Sequence, residues 1–258
     1  MADTLPTTFE SILKVKNVNL EVVVVNDGSE DNFQSVIDRY ESRFKSLDNI
    51  SLKIDSLSKN SGRASAVNKG IKLANSTYVT FIDADDTINS SELVKLWKSA
   101  KSNQADLIIG QFKVVDDYGN LLSSRSLDLS TKKVDLLKKI AFSPLSPIHL
   151  NAVLIKRSFL MSVGKMNQNI IKSQDKDLTI RLLQNAESIS ISDTWHYLYK
   201  KHELPKKILF FKRIEWLVYR QRAIQKNFSG FTKYTSMILQ LTFDLGKMMY
   251  EITIGYRK

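Results

Sequence analysis

Apolar and polar positions in the first ninety residues form short blocks that predict alternating strands and helices. Three runs are rich in β-branched or aromatic residues and predict the strands Leu20–Val25, Leu52–Leu57 and Thr77–Ile82. A helix is predicted over Phe33–Phe44, and another follows the polar turn at residues 59–62 and closes at Asn75. This alternation predicts an α/β fold, a three-layer α/β/α arrangement with a mostly parallel central sheet.

The remaining elements are predicted from local signals. Thr7 and Glu10 have capping-box spacing, so a short first helix is expected to begin at Thr7. Leu107–Val115 predicts one strand, residues 116–120 a hairpin-type turn, and Thr131–Phe142 an amphipathic helix.

Three carboxylates follow the third strand within four positions, at Asp83, Asp85 and Asp86. Acids this close repel one another unless a cation lies among them, and carboxylate oxygens are ligands for Mg²⁺ or Mn²⁺. The alternative is an acidic turn before a helix, because residues 89–92 have an N-terminal capping pattern. Ligands bind at the carboxyl ends of strands in open α/β sheets, so Asp27, Asn60, Arg63 and this cluster are expected to share one edge.

Composition narrows the classes of protein. The 258 residues are 43% hydrophobic, which predicts a substantial core, and no apolar run approaches the length of a membrane span. The N-terminus lacks the features of a signal peptide. The absence of cysteine excludes thiolate metal sites and disulfides, and it fits a cytoplasmic location. Any metal is expected to be oxygen-bound.

The net charge of +11 is concentrated in the last quarter of the chain. Residues 200–258 hold 13 Lys or Arg against 4 Asp or Glu, a net charge of +9. Such a basic segment could contact nucleic acid or an anionic membrane, and its aromatic residues favour the membrane interface. The alternative is that these basic residues form the solvent-exposed face of a helix and have no partner. We therefore predict peripheral membrane contact and no nucleic-acid partner.

The end of the chain also predicts helices. Ile208–Ile224 has the pattern of a basic amphipathic helix, and further apolar residues recur at spacings of four and three. These residues are Tyr234, Ile238, Leu241, Leu245, Met248 and Ile252. The apolar seam could pack on the preceding domain, dock on a membrane or meet a partner helix. The predicted organisation is a domain over 1–203 and a helical extension over 204–258, with a homo- or hetero-oligomer left open.

Three motifs in order carry a resemblance to a known family. They are Asn-Asp-Gly-Ser-Glu-Asp from Asn26, Asn60-x-Gly62 with Ala66, Asn68 and Gly70, and Phe-Ile-Asp-Ala-Asp-Asp from Phe81. Together they resemble family 2 glycosyltransferases of the GT-A fold. The resemblance implies that Asp27, Asn60, Arg63, Asp83 and Ala84 line a nucleotide pocket. It also implies that Asp85 binds Mn²⁺ or Mg²⁺ on the diphosphate.

A later acidic motif, Ser173-Gln174-Asp175-Lys176-Asp177, is similar to the segment that holds the family's catalytic base. The resemblance assigns that role to Asp175, although Gln174 stands where the family has Glu. The alternatives are Asp177 as the important acid, or Asp175 as an ordinary helix N-cap. His202 follows an aromatic strand; by the resemblance it could contact the diphosphate or the metal, but it is interpreted as a solvated loop residue and left out of the site.

The implied function is metal-dependent, inverting transfer of a sugar from a nucleotide donor, most simply a UDP-sugar. The acceptor would be a hydroxyl of a cell-surface polysaccharide or lipid-linked glycan. The family's first strand, however, has no counterpart before the first helix here. A non-catalytic scaffold with an incomplete pocket is therefore one alternative. Another is a haloacid-dehalogenase-like phosphatase with Asp83 as nucleophile, because Asp83-x-Asp85-x-Thr87 also matches that signature.

Overall fold

The computed structural model describes residues 2–142, 146–202, 217–219 and 221–255, with side chains up to residue 246. The strands are β1 Leu20–Asn26, β2 Ile50–Ser56, β3 Tyr78–Val79, β4 Thr87–Ile88, β5 Leu107–Ile109, β6 Phe112–Val115, β7 Leu121–Arg125, β8 Val153–Lys156, β9 Ile189–Ile191 and β10 Tyr197–Lys200. The helices are α1 Leu5–Ile12, α2 Phe33–Lys45, α3 Arg63–Leu73, α4 Ser90–Asn103, α5 Lys133–Phe142, α6 Arg157–Val163, α7 Gln174–Asn185 and α8 Gly230–Gly255. Residues 217–219 and 221–227 are also helical.

Alternate residues of β5 show that helices cover both faces of the strands. Ile108 packs with Leu96 of α4, whereas Leu107 and Ile109 pack with Ile71 of α3 and with residues of α5 and α7. Successive side chains of a strand point to opposite faces, so α3 and α4 lie on opposite sides. The predicted α/β class with three layers is confirmed.

The sheet pairing is mixed, which corrects the prediction of a mostly parallel sheet. β1 and β2 form a parallel pair, while the other strands form the orders β3-β8-β5-β9 and β4-β10-β6-β7. β8 lies antiparallel to both β3 and β5, whereas β5 and β9 are parallel. The return strand β8 follows a long connection that local patterns do not reveal. The parallel pairing predicted for the first strands holds for β1 and β2 alone.

The strand predicted over Leu107–Val115 is broken in two at Gly110, and its halves belong to different sheets. A Cβ atom at Gly110 would lie 3.0 Å from the carbonyl oxygen of Ala152 and 3.2 Å from that of Thr194. Glycine therefore allows a close backbone approach where the chain leaves β5. The apolar pattern continues through this break, so it did not reveal the change of sheet.

The first helix begins at Leu5 rather than at the predicted Thr7, with Pro6 in its first turn. Proline fits there because its missing N–H has no helical acceptor to lose. The hydroxyl of Thr8 instead donates to the carbonyl oxygen of Asp86 at 2.7 Å. Phe9 packs with Phe44 of α2 at a ring-centroid distance of 5.2 Å. Helix α1 therefore holds the loop at Asp83–Asp86 in place through the Thr8 hydroxyl.

In helix α8, the four seam residues whose side chains the structure describes are not buried against the domain. Tyr234 and Ile238 remain 63% and 60% exposed, and the seam residues Leu241 and Leu245 also face solvent. The buried contacts come from Ser236 and Gln240, whose side-chain amide donates to the carbonyl oxygen of Ala141. The helix therefore packs on the domain at α5 through its polar residues, while the described seam residues remain exposed. The start of the Ile208–Ile224 prediction and the proposed 203/204 boundary lie outside the described residues.

None of the described helices combines the length and hydropathy required to cross a bilayer.

Candidate active site

Two loops interlock at the carboxyl ends of β1 and β2. The backbone N–H of Ser61 donates to Asp27 Oδ1 at 2.8 Å, and the N–H of Gly62 donates to Asn60 Oδ1 at 3.2 Å. Gly28 has φ +70°, and a Cβ atom there would lie 2.6 Å from the backbone nitrogen of Asn60. Only glycine fits this contact, which brings the predicted Asp27 and Asn60 together at the expected edge.

Arg63 at the start of α3 links two carboxylates that are distant in sequence. Its Nη1 lies 2.7 Å from Asp175 Oδ1, and its Nη2 lies 3.0 Å from Asp83 Oδ1. Burial disfavours the charged guanidinium, but Asp175 and Asp83 outweigh it and raise the pKa of Arg63 above its ordinary value. The guanidinium thus stays charged and fixes the spacing of the two acids.

A buried polar network holds the Asp83–Asp86 loop against β10. Asn151 Nδ2 lies 3.2 Å from Asp83 Oδ2 and 2.7 Å from the Tyr197 hydroxyl, which in turn donates to Asp86. The backbone N–H of Lys200 donates to the other oxygen of Asp86. Burial, together with Asp85 and Asp83 nearby, raises the pKa of Asp86 to about 6. Asp86 therefore anchors the loop and is turned away from solvent.

The two residues before Asp86 in this loop, Ala84 and Asp85, contact Thr8 and His202. The Ala84 carbonyl accepts from the Thr8 hydroxyl at 3.0 Å, while the Asp85 carboxylate projects outward and is 42% exposed. The His202 ring lies between two acids, with Nε2 3.2 Å from Asp85 and Nδ1 2.7 Å from Asp117. Desolvation opposes protonation, but the two carboxylates outweigh it and raise the pKa of His202.

The two acids of α7 have separate roles. Asp175 is half exposed and faces Arg63, whereas Asp177 is fully buried and accepts from Arg181 at 2.9 Å and from Asn227 at 3.0 Å. The N-cap residue of α7 is Ser173. The N-cap alternative for Asp175 is therefore wrong, and Asp177 joins α7 to the C-terminal segment.

Sequence reasoning missed two residues of this edge, Asn151 and Tyr197, and left a third, His202, out of the site although it lies beside Asp85. Asn151 follows a long loop and carries no motif, so only its contact with Asp83 reveals it. Tyr197 was seen as part of an aromatic strand, yet its contact with an acid 111 residues away is a tertiary feature. His202 follows β10 by two residues, and that position next to a strand of this edge was the one available signal.

Among the described residues, no group of three or more acidic, imidazole or thiol side chains is arranged as a metal centre. Asp85 and His202 nevertheless present a carboxylate oxygen and a ring nitrogen side by side at the surface. A carboxylate and an imidazole suit Mn²⁺, whereas Mg²⁺ prefers oxygen ligands alone. The residues present therefore fit two ligands of a cation such as Mn²⁺.

Comparison with known proteins identifies the family. The family described as "Glycosyl transferase family 2" matches residues 2–163, which is more than half of the chain. The chain belongs to this family. The resemblance inferred from the three motifs is confirmed, and the support for the phosphatase alternative is removed.

Curated relatives and solved structures agree with that membership. The chain is 29% identical over 207 residues to poly(ribitol-phosphate) β-N-acetylglucosaminyltransferase TarP of Staphylococcus aureus, covering 76% of this chain and 58% of TarP. It is 27% identical over 185 residues to poly(ribitol-phosphate) β-glucosyltransferase of Bacillus spizizenii, covering 69% of this chain and 27% of that protein. The chain thus spans little more than half of one relative and about a quarter of the other.

The solved structures establish the fold. S. aureus TarS 1–349 in complex with UDP-GlcNAc superposes with a TM-score of 0.65 at 20% identity, covering 93% of this chain and 68% of that one. The mannosyltransferase PcManGT from Pyrobaculum calidifontis, in complex with GDP-Man and Mn²⁺, gives 0.64 at 14% identity and covers 100% of this chain and 72% of that one. The predicted GT-A-like fold is confirmed.

Proposed function

We propose that this protein is a metal-dependent, inverting glycosyltransferase that moves a sugar from a UDP-sugar to a hydroxyl of a cell-surface polysaccharide or lipid-linked acceptor. The observation that carries the proposal is the Arg63 bridge between Asp83 and Asp175. This bridge connects the loops after β2 and β3 with an acid from the second half of the sequence. Relatives named for sugar transfer to poly(ribitol-phosphate) support the acceptor class.

In the proposed mechanism, Asp27, Asn60 and Asp83 receive the nucleoside at the edge of β1 and β2, next to Ala84. Arg63 lies beside them, and the bound diphosphate competes with Asp175 for its guanidinium. The release of Asp175 from that ion pair leaves its carboxylate free to accept the proton of the acceptor hydroxyl. A positioned general base of this kind typically accelerates the reaction about 10²–10⁴-fold.

Asp85 and His202 are the proposed ligands of Mn²⁺, and Asp85 alone would hold Mg²⁺. Their 3.2 Å separation and similar exposure allow both to face one ion. When bound, the cation offsets the negative charge that develops on the departing diphosphate. Asp117 holds the other ring nitrogen of His202 and so orients the ring.

Calorimetry with UDP, other nucleotides and Mn²⁺ tests the donor and metal assignments. The intact protein is expected to bind UDP about tenfold or more tightly with Mn²⁺ than without it, and Asp85→Asn should lose that difference. Asp128→Asn is the matched control, because this exposed carboxylate only closes a turn with Ser130. Equal Mn²⁺ dependence in Asp85→Asn would remove the metal role. No nucleotide binding by the folded protein would favour the scaffold alternative.

The C-terminal extension is proposed to hold the enzyme at the cytoplasmic face of a membrane, near a lipid-linked acceptor. Helix α8 exposes Phe231, Tyr234 and Ile238, and nine of the thirteen basic residues of the segment precede it in the sequence. An apolar helix face next to cationic residues suits an anionic lipid surface.

Co-sedimentation with vesicles that contain anionic lipid tests membrane contact. Ile238→Ser combined with Leu245→Ser should release the protein, whereas Thr242→Ser on the same helix should not. Undiminished sedimentation of the double variant would count against the membrane, and its self-association in solution would favour an oligomer.

A further inference from the structure

An aromatic cluster around His149 lies beside the candidate site. The imidazole stacks with Tyr197 of β10 at a ring-centroid distance of 4.8 Å and with Tyr199 at 5.3 Å. Phe112 of β6 meets the same imidazole at 5.2 Å. Tyr197 and Tyr199 are alternate residues of one strand and point to the same face, which His149 covers. Three rings therefore hold the imidazole in one orientation.

A hydrogen bond fixes which nitrogen of His149 carries the proton. The backbone N–H of Asn151 donates to Nδ1 at 3.3 Å, in the short 3₁₀ turn Leu150–Ala152. Burial lowers the pKa of His149, so the ring is neutral near pH 7 and its single proton is on Nε2. Among the residues that the structure describes, no acceptor binds Nε2. The ring thus offers one free N–H donor in a fixed direction.

Tyr199 offers an open ring face beside this donor. The residue is 37% exposed, and its hydroxyl has no hydrogen-bond partner within the described ranges. Burial raises the pKa of the phenol, and the charges of Asp86, Asp85 and Asp83 add to that shift, so the ring lies close to the acidic loop. An aromatic face is electron-rich and attracts C–H groups. This surface fits a ligand that has an apolar face and hydroxyls at its edge.

The pair His149 and Tyr199 extends from the metal side of the site to the base side. The charge of Asp85 acts on Tyr199, whereas Asp175 is the strongest charge acting on His149 and opposes the effect of its burial. In the proposed reaction, the acceptor attacks the sugar from the side opposite the diphosphate. The transferred ring must therefore lie between the cation at Asp85 and the base Asp175, which is the region that this pair borders.

We propose that His149 and Tyr199 form the subsite for the transferred pyranose ring. The C–H face of the sugar packs on Tyr199, and Nε2–H of His149 donates to one of its hydroxyls. A phosphate is bound most strongly by a charged donor, so this neutral donor suits an uncharged hydroxyl. The inference rests on the proposed sugar transfer and adds to it the residues that recognise the sugar.

Calorimetry of the intact protein with Mn²⁺ tests the subsite, with UDP, UDP-glucose and UDP-GlcNAc as probes. Tyr199→Leu should weaken binding of the UDP-sugars about three- to tenfold, because the stacked ring is lost. Its affinity for UDP should not change. Tyr199→Phe keeps the ring and should retain the parent's affinities. Tyr118→Leu is the matched control, because Tyr118 is 92% exposed in the turn between β6 and β7.

His149→Asn tests the hydrogen-bond donor. The new side-chain oxygen can still accept from the backbone N–H of Asn151, but no group replaces Nε2. The affinity for the UDP-sugars should therefore fall about fivefold, while the affinity for UDP stays the same. The Tyr199 variants decide the outcome even if His149→Asn does not fold.

Equal affinity of Tyr199→Leu and the parent for both UDP-sugars would overturn the subsite. A change confined to the KM for a poly(ribitol-phosphate) acceptor would assign the ring face to the acceptor and would also overturn it. Failure of the parent to bind UDP would refute the proposed function, and the subsite with it. The UDP titration of the parent thus distinguishes the two failures.

Discussion

Strands β1 and β5 are both apolar, yet they have different surroundings. The three residues of β5 are buried, and β5 pairs with β8 on one side and β9 on the other. Every residue of β1 is partly exposed, and β1 pairs only with β2 among the described strands. An apolar run therefore predicts that a strand forms without predicting how many neighbours it has.

The candidate site contains residues from both of these surroundings. Asp27 and Asn60 rest on the loops of the exposed pair β1 and β2, whereas Asn151 lies directly before β8 in the completed sheet. Arg63 and Asp83 connect the two sides. We infer that the β5 side holds the catalytic geometry firmly and that the nucleotide side depends on how well β1 is supported.

The largest expected effect concerns the proposed catalytic base, Asp175. Asp175→Asn should lower the rate of sugar transfer about 10²–10⁴-fold, because the amide cannot accept the acceptor's proton. UDP affinity should not fall and should rise modestly, since the diphosphate no longer competes with the Asp175 carboxylate for Arg63. Steady-state transfer assays and calorimetry on the same preparation measure both quantities. A variant that retains its turnover would remove Asp175 from the catalytic role.

The different burial of β1 and β5 predicts different losses in the free energy of unfolding when a side chain of each strand is truncated. Ile108→Ala should lower the free energy of unfolding by about 2–5 kcal/mol, because it leaves a cavity in a fully packed core. Val23→Ala should cost less, about 1 kcal/mol, since its side chain is already partly solvated. Urea unfolding of both variants gives the comparison. Equal losses would mean that β1 is as well packed as β5.

The buried imidazole of His196 predicts a pH dependence of stability. Burial lowers the pKa of its imidazole from 6.5 to about 4, so the unfolded chain binds a proton in this range before the folded protein does. Stability is therefore complete above pH 6.5 and falls as the pH drops toward 4, by about 3 kcal/mol for this group. The stability difference between the parent and His196→Gln should shift by that amount between pH 7 and pH 4. An unchanged difference would show that His196 is hydrated.

The smallest expected effect concerns the loops at β1. Gly28→Ala should destabilise the fold by about 1–3 kcal/mol and weaken UDP binding, because its Cβ would push against Asn60. Gly119→Ala is the matched control: it has a similar φ of +85° but open space around its Cβ. Calorimetry should show weakened UDP binding for Gly28→Ala alone. Equal weakening in both variants would exclude the loop contact as the cause.

The sequence by itself determined the features that depend on neighbouring residues. The valine run, the turn at Gly28 and the capping residue Asn89 act locally. Strands β1 and β2 and helices α2 and α3 formed close to their predicted positions, and α4 begins at the predicted capping pattern. The order of the three nucleotide-side motifs also indicated the family. Helix α1 was displaced by two residues because Pro6 outweighed the capping pattern at Thr7.

Tertiary structure decided which partners two similar acids meet. Asp175 and Asp177 lie two positions apart on one helix, yet one meets Arg63 and the other meets Arg181 and Asn227. The orientation of α7 relative to α3 selects between them, and no local pattern encodes that angle. The same holds for His202 beside Asp85, because this pair depends on contact between segments far apart in the chain.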